Sequence, residues 1–155
     1  MSTADRILLI LHIGFAIFTL GPLTAATMST PRYIRAGNVP VLRYLRLTTR
    51  IYGLGSLGIF LFGLFLGRGQ FHKVWLSASM TLFIVAFVLL LVIERDQGKV
   101  IAKLSGTASS GAPGKEPGHG GAAAPDTRAE QSRLAALSGI VAILWLVILV
   151  LMVWH

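Results

Sequence analysis

Cysteine is absent from all 155 residues. That removes disulfides, thiolate metal sites, cysteine nucleophiles and cysteine-linked haem. Charge is scarce too: Asp, Glu, Lys and Arg fill 13% of the positions, half or so of the roughly 25% usual in a soluble domain. Acid is the rarer sign, six residues against fourteen basic ones. Four long stretches, residues 7–28, 51–67, 74–93 and 134–154, contain no Asp, Glu, Lys or Arg. An enzyme needs an acid, base, nucleophile or cofactor held away from water, and here the hydroxyls of these stretches have only His12 as a base. Transporters carry intramembrane ionisable groups or broken helices in paired halves, and this chain offers one histidine and one Gly-Pro step, Gly21-Pro22.

What fills the sequence instead is apolar: 54% of the residues. A helix rises about 1.5 Å per residue, so ~20 residues cross a hydrocarbon core of ~30 Å. The first, third and fourth stretches reach that length, and the second, at 17 residues, is extended by what precedes it. Backbone groups in lipid must be satisfied within the segment, which makes all four helices. The first stretch is longer and less charged at its start than a cleaved leader usually is, so a span is expected, with "TAAT" at residues 24 to 27 as the cleavage site of the alternative, a signal peptide. The expected fold is all-α, an antiparallel bundle of four transmembrane helices. Residues 1–104 would hold helices 1 to 3 and a basic first loop, 105–127 a linker, and 128–155 helix 4.

The basic residues set the threading. Arg32, Arg35, Arg43, Arg46 and Arg50 crowd the first loop without an acid among them, and Arg95, Lys99, Lys103, Lys115, Arg128 and Arg133 surround the third. Only Arg6, Arg68 and Lys73 lie on the other side, so the first and third loops are expected inside and both termini outside. No nucleic-acid motif accompanies these charges, and the anionic inner leaflet is the expected partner. Arg43, Arg46 and Arg50, at i, i+3 and i+7, share one helical face suited to that surface. Pro40, after Asn38-Val39, opens a helix that runs on into the second span. Residues 105–125, "SGTASSGAPGKEPGHGGAAAP", lack any large apolar side chain and read as a flexible tether, with His119 alone in it. Thr127 and Glu130 then read as a capping box for the last helix.

Small residues let membrane helices approach closely. Gly14, Gly21 and Ala25 on the first span repeat the 7-then-4 spacing of Ser56, Gly63 and Gly67 on the second. Ala135 and Gly139 stand four apart on the fourth span, and Ser77 and Thr81 on the third. These faces are expected to pack inside the bundle, with the first two spans the tightest pair.

His12 is the one imidazole inside an apolar run, about 8 Å below the outer end at helical rise. A polar group at that depth turns inward and bonds a neighbouring helix, through Ser77, Ser79 or a backbone carbonyl. The threading also gathers His72, Met80, Met152 and His155 into the outer layer. Imidazole with thioether suits copper, and imidazole suits haem iron, so His12, His72, Met80, Met152 and His155 form a candidate metal layer and His12 a candidate cofactor ligand.

"LHIGFAIFTLGPL", the basic first loop and the Gly-rich second span resemble a bacterial family of predicted integral membrane proteins of unknown function. That family is distantly similar to copper-resistance D-type proteins and to four-helix protoporphyrinogen oxidases, which open with a histidine in helix one. The resemblance implies haem b or copper at His12; Phe18 stands where those relatives commonly carry a tryptophan. The residues themselves favour a small non-catalytic protein of the bacterial plasma membrane, an accessory, assembly or interaction subunit of a larger complex or of itself, without cofactor. Haem or copper binding is the alternative.

Overall fold

The computed structural model describes residues 3–69, 73–109 and 126–154 and consists of four long helices: α1 (Thr3–Arg35), α2 (Val39–Leu66), α3 (Val74–Ser109) and α4 (Arg128–Val153). Each is long and apolar enough to cross a membrane, and the chain is a multi-pass membrane protein of the all-α class. Successive helices pack side by side and α4 closes back on α1. The α1–α3 diagonal is slight, and α1 with α2 forms the most extensive interface.

The α1–α2 turn shows why these two pair so closely. Gly37 takes φ +63°, a left-handed conformation open to glycine. The Gly37 N–H then reaches Ile34 O at 3.0 Å and the Asn38 N–H reaches Tyr33 O at 3.2 Å, which caps the last free carbonyls of α1. Asn38 immediately opens α2 by accepting from the Val41 N–H, with Pro40 in the first turn where its missing N–H costs nothing. α2 runs unbroken from this loop into its apolar stretch, as the sequence predicts.

The helices are longer than a bilayer requires. At 33, 28, 36 and 26 residues they measure about 50, 42, 54 and 39 Å. Much of the excess lies at the basic end, where Ile34, Leu42, Leu45, Val100 and Ile101 are buried beyond the apolar stretches. Within lipid, helices gain no hydrophobic driving force from each other. At this overhang they do, at about 1.5–3 kcal/mol for each large side chain removed from water. In the apolar half, Phe60 of α2 stacks on Phe83 of α3 at 5.0 Å, and Phe83 meets Trp145 of α4 edge-on at 5.3 Å.

Two expectations need correction. The capping box does not form: Thr127 is the N-cap of α4 but makes no side-chain cap bond. Asp126 accepts from the Arg128 N–H instead, and the Glu130 carboxylate is drawn across to Lys103 at 2.8 Å. α3 continues to Ser109, five residues into the expected linker; residues 110–125 lie outside the described residues.

Pro22 and Pro31 both lie inside α1, which runs as one continuous helix from Thr3 to Arg35. A proline withholds the N–H that would bond the carbonyl four residues back, which for Pro31 is Thr27 O. The Ser138 hydroxyl of α4 donates to that oxygen at 3.1 Å, so the defect in one helix becomes the link to another. Ser138→Ala would leave a buried carbonyl without its partner and is expected to cost about 1–3 kcal/mol. In a Pro31→Ala background the backbone N–H returns and the same substitution should cost much less. Thermal unfolding of the four variants in detergent measures the difference; equal losses in both backgrounds contradict this role.

Candidate functional site

One turn of α3 carries most of the polar chemistry. At the end of its apolar run the helix reads Glu94-Arg95-Asp96-Gln97-Gly98-Lys99, and these side chains reach all three other helices. Glu94 accepts from Arg46 Nε of α2 at 2.9 Å. Gln97 is buried, and its amide donates to Thr30 Oγ1 of α1 at 2.7 Å and towards Thr49 Oγ1 of α2 at 3.3 Å. Both threonines spend their own protons within their helices, on Ala26 O and Leu45 O, which leaves their oxygens free to accept. Asp96, also buried, lies 3.1 Å from Arg133 Nε of α4 and 3.6 Å from Lys99. The Arg133 approach is an ion pair without an aligned hydrogen bond, so among the described residues Asp96 Oδ2 keeps no hydrogen-bond partner, and neither does Gln97 Oε1.

Gly98 completes the arrangement. A Cβ there would lie 2.8 Å from Arg46 Cζ, so the bare backbone lets the guanidinium lie against α3 on its way to Glu94. Arg46 thus makes an interhelical ion pair while its side chain stays 43% exposed. Arg43 and Arg50 are exposed. None of Glu94, Asp96 and Gln97 stands out as a site residue in the sequence. The available signal was spacing: Glu94 and Gln97 are three apart and share a face, while Asp96 points to the next helix round.

His12 sits at the opposite end, half-buried between α1 and α2. Its Nδ1 is 2.9 Å from Ile59 O, and because a carbonyl only accepts, Nδ1 carries the proton. Of the three partners the sequence offered, a backbone carbonyl is the one used. Gly63 makes room: a Cβ there would stand 3.1 Å from His12 Cε1. One turn on, Phe15 lies against Gly58 and meets Phe62 at 5.3 Å.

Of the other expected site residues, Met80 and Met152 are described. α2 and α3 meet at Gly67–Leu76 and Phe60–Phe83, which sets Met80 level with Gly63 and hence with His12. Met80 is nevertheless on α3, diagonal to α1, and Met152 is exposed near the end of α4. His72 and His155 lie outside the described residues. Among the described residues no three of His, Cys, Asp or Glu converge. Comparison with family models, curated proteins and solved structures gives no match.

The glycine faces divide. Gly63 and Gly67 lie in helix contacts and Ser56 is fully buried, its hydroxyl donating to Gly53 O. At Gly14, Gly21 and Gly139 a Cβ would meet nothing within 4 Å, and Gly21 and Ala25 are exposed. The α1 face expected to pack internally is thus open, because α1 turns His12, Phe15 and Thr19 towards α2 instead.

Gln97→Ala removes the amide that joins three helices and opens a void, and should lower stability by about 1–3 kcal/mol. Thr48→Ala, at a half-buried position whose hydroxyl bonds Tyr44 O of its own helix, should stay within about 0.5 kcal/mol. Melting of both in the same detergent checks the contrast.

Proposed function

We propose that this chain is a small non-catalytic subunit of the bacterial plasma membrane, with its basic end in the cytoplasm and both termini outside, that docks a transmembrane helix of a partner protein against α1. The observation that carries the reading is the asymmetry of α1. Every buried residue of this helix lies between Thr19 and Ile34, while Ile10, Leu11, Ile13, Phe15, Ile17 and Phe18 before them are exposed. Gly14 lies in that region, the exposed Gly21 and Ala25 continue its spacing beyond Thr19, and small residues in series are what close helix approach in lipid requires. The polar side chains of the bundle are meanwhile spent on one another, in interhelical pairs that hold a scaffold.

A second reading, haem or copper binding, is favoured by one detail. With Nδ1–H held by Ile59 O, the Nε2 lone pair of His12 is left without a partner among the described residues, and ligating histidines are commonly oriented by such a bond. His12 fits as one ligand; Met80 on the diagonal helix does not complete a set with it.

Extraction from the native membrane in mild detergent, followed by mass determination, tests the first reading. The wild type should run as a complex larger than its 16.7 kDa chain, and Gly14→Leu should release it while leaving its melting unchanged. A wild type that is monomeric, or a complex indifferent to Gly14→Leu, contradicts docking on this face. The same preparation tests the second: a Soret band or stoichiometric copper, lost in His12→Ala, would make His12 a ligand. A colourless, copper-free wild type contradicts that.

A further inference from the structure

Where α1 meets α4 at the basic end, a recess of about 320 Å³ opens between them. Met28, Pro31 and Ala135 give it an apolar lining, and Arg32, Arg35 and Gln131 a polar one. Arg32 and Arg35 lie one helical turn apart, both exposed, and neither has an ion-pair partner among the described residues. No carboxylate lines the recess. The Ser138 hydroxyl, also at its surface, is already given to Thr27 O, so the free donors are the two guanidinium groups and the Gln131 amide. Arg35 and Gln131 also border an adjoining hollow, where Arg128 stands beside Asp126.

We propose that this recess binds the phosphate headgroup of an anionic phospholipid, whose acyl chains run along the exposed apolar surface of α4 from Ile140 to Ile143. Two arginines a turn apart present fork-shaped donors to phosphate oxygens, which makes phosphate the matching anion. Their depth matches as well: they follow directly on the apolar stretch of α1, at the level of headgroups. Basic pockets between transmembrane helices at such a level are where anionic headgroups are held. A soluble phosphate would use the guanidinium groups and leave the Met28, Pro31 and Ala135 lining without purpose; a lipid uses both. The small side chain of Ala135 keeps the recess open, and Ala135 and Gly139 form the open small-residue face of α4. The proposal rests on the reading of the basic end as the one that faces an anionic leaflet.

The test is lipid binding by the full chain in neutral detergent, followed by native mass spectrometry, with phosphatidylglycerol, phosphatidylcholine and inorganic phosphate as probes. Phosphatidylglycerol should bind at least about tenfold more tightly than phosphatidylcholine, and inorganic phosphate at equal concentration should not displace it. Arg32→Ala and Arg35→Ala should each weaken phosphatidylglycerol several-fold. Ala135→Phe, which fills the recess without changing charge, should weaken it about tenfold. Arg95→Ala, which removes an exposed charge at the same end but away from the recess, should have little effect. Equal losses for Arg95→Ala and Arg32→Ala, or full binding by Ala135→Phe, overturn the proposal in favour of diffuse surface attraction. Displacement by inorganic phosphate overturns it in favour of a soluble anion. Arg32 and Arg35 are exposed, so their replacement tests binding even where Ala135→Phe misfolds. Detergent has no sidedness, so a wrong threading would leave these results intact and would be seen separately, by labelling single cysteines at either end in vesicles.

Discussion

The Gln97 amide, buried where α1, α2 and α3 meet, is the contact on which the basic half of the bundle turns. A buried amide costs free energy unless its hydrogens find acceptors, and only two threonine oxygens, one from each neighbouring helix, are placed to receive them. Any slide of α1 or α2 along α3 by a residue would remove one of them. Glu94 and Asp96, on the same turn, fix α2 through Arg46 and α4 through Arg133. Both cations are well exposed, so these ion pairs add little energy and serve chiefly to set which helix lies beside which.

From that turn the two ends of the molecule diverge. At the basic end the helices outrun the bilayer, bury aliphatic side chains against water, and are cross-linked by polar bonds, including the Ser138 bond to the carbonyl that Pro31 leaves free. At the opposite end the aromatic series Phe60, Phe83 and Trp145 ties α2, α3 and α4, and α1 meets α2 through His12, Phe15 and Thr19. His12 is part of that attachment, through its bond to Ile59 O. The open side of α1 is thus a consequence of where the polar residues sit. It is also the face we propose receives another helix, while the recess between α1 and α4 at the basic end is the proposed headgroup site.

The architecture was largely legible in the sequence. Uncharged runs long enough for the bilayer give four helices, and Asn38 with Pro40 marks the start of α2 well before its apolar part. The pairing of α1 with α2 follows from a three-residue connection. Partner choice was not legible. Arg43, Arg46 and Arg50 look equivalent on a helical wheel, yet only Arg46 finds an acid, because Gly98 on another helix gives it a path. Thr127 and Glu130 have capping-box spacing, but Lys103, distant in sequence, takes the glutamate. The glycines of α1 and α2 share one spacing, and only those of α2 are enclosed, since the same histidine and phenylalanine that bind α1 to α2 rotate Gly14 away. Each of these outcomes depends on a residue from a different helix, which spacing within one helix does not encode.

The central claim, that the bundle is locked at its basic end and open on α1 at the other, is best tested by electron-spin distance measurement between α1 and α4. The absence of cysteine lets labels be placed without background. One pair, at Met28 and Ser132, reports the basic end; a second, at Ile10 and Val150, reports the opposite end. The account predicts a narrow distance distribution for the first pair, broadened by Gln97→Ala, and a broad distribution for the second. Equal widths at both ends, or a first pair indifferent to Gln97→Ala, would contradict it.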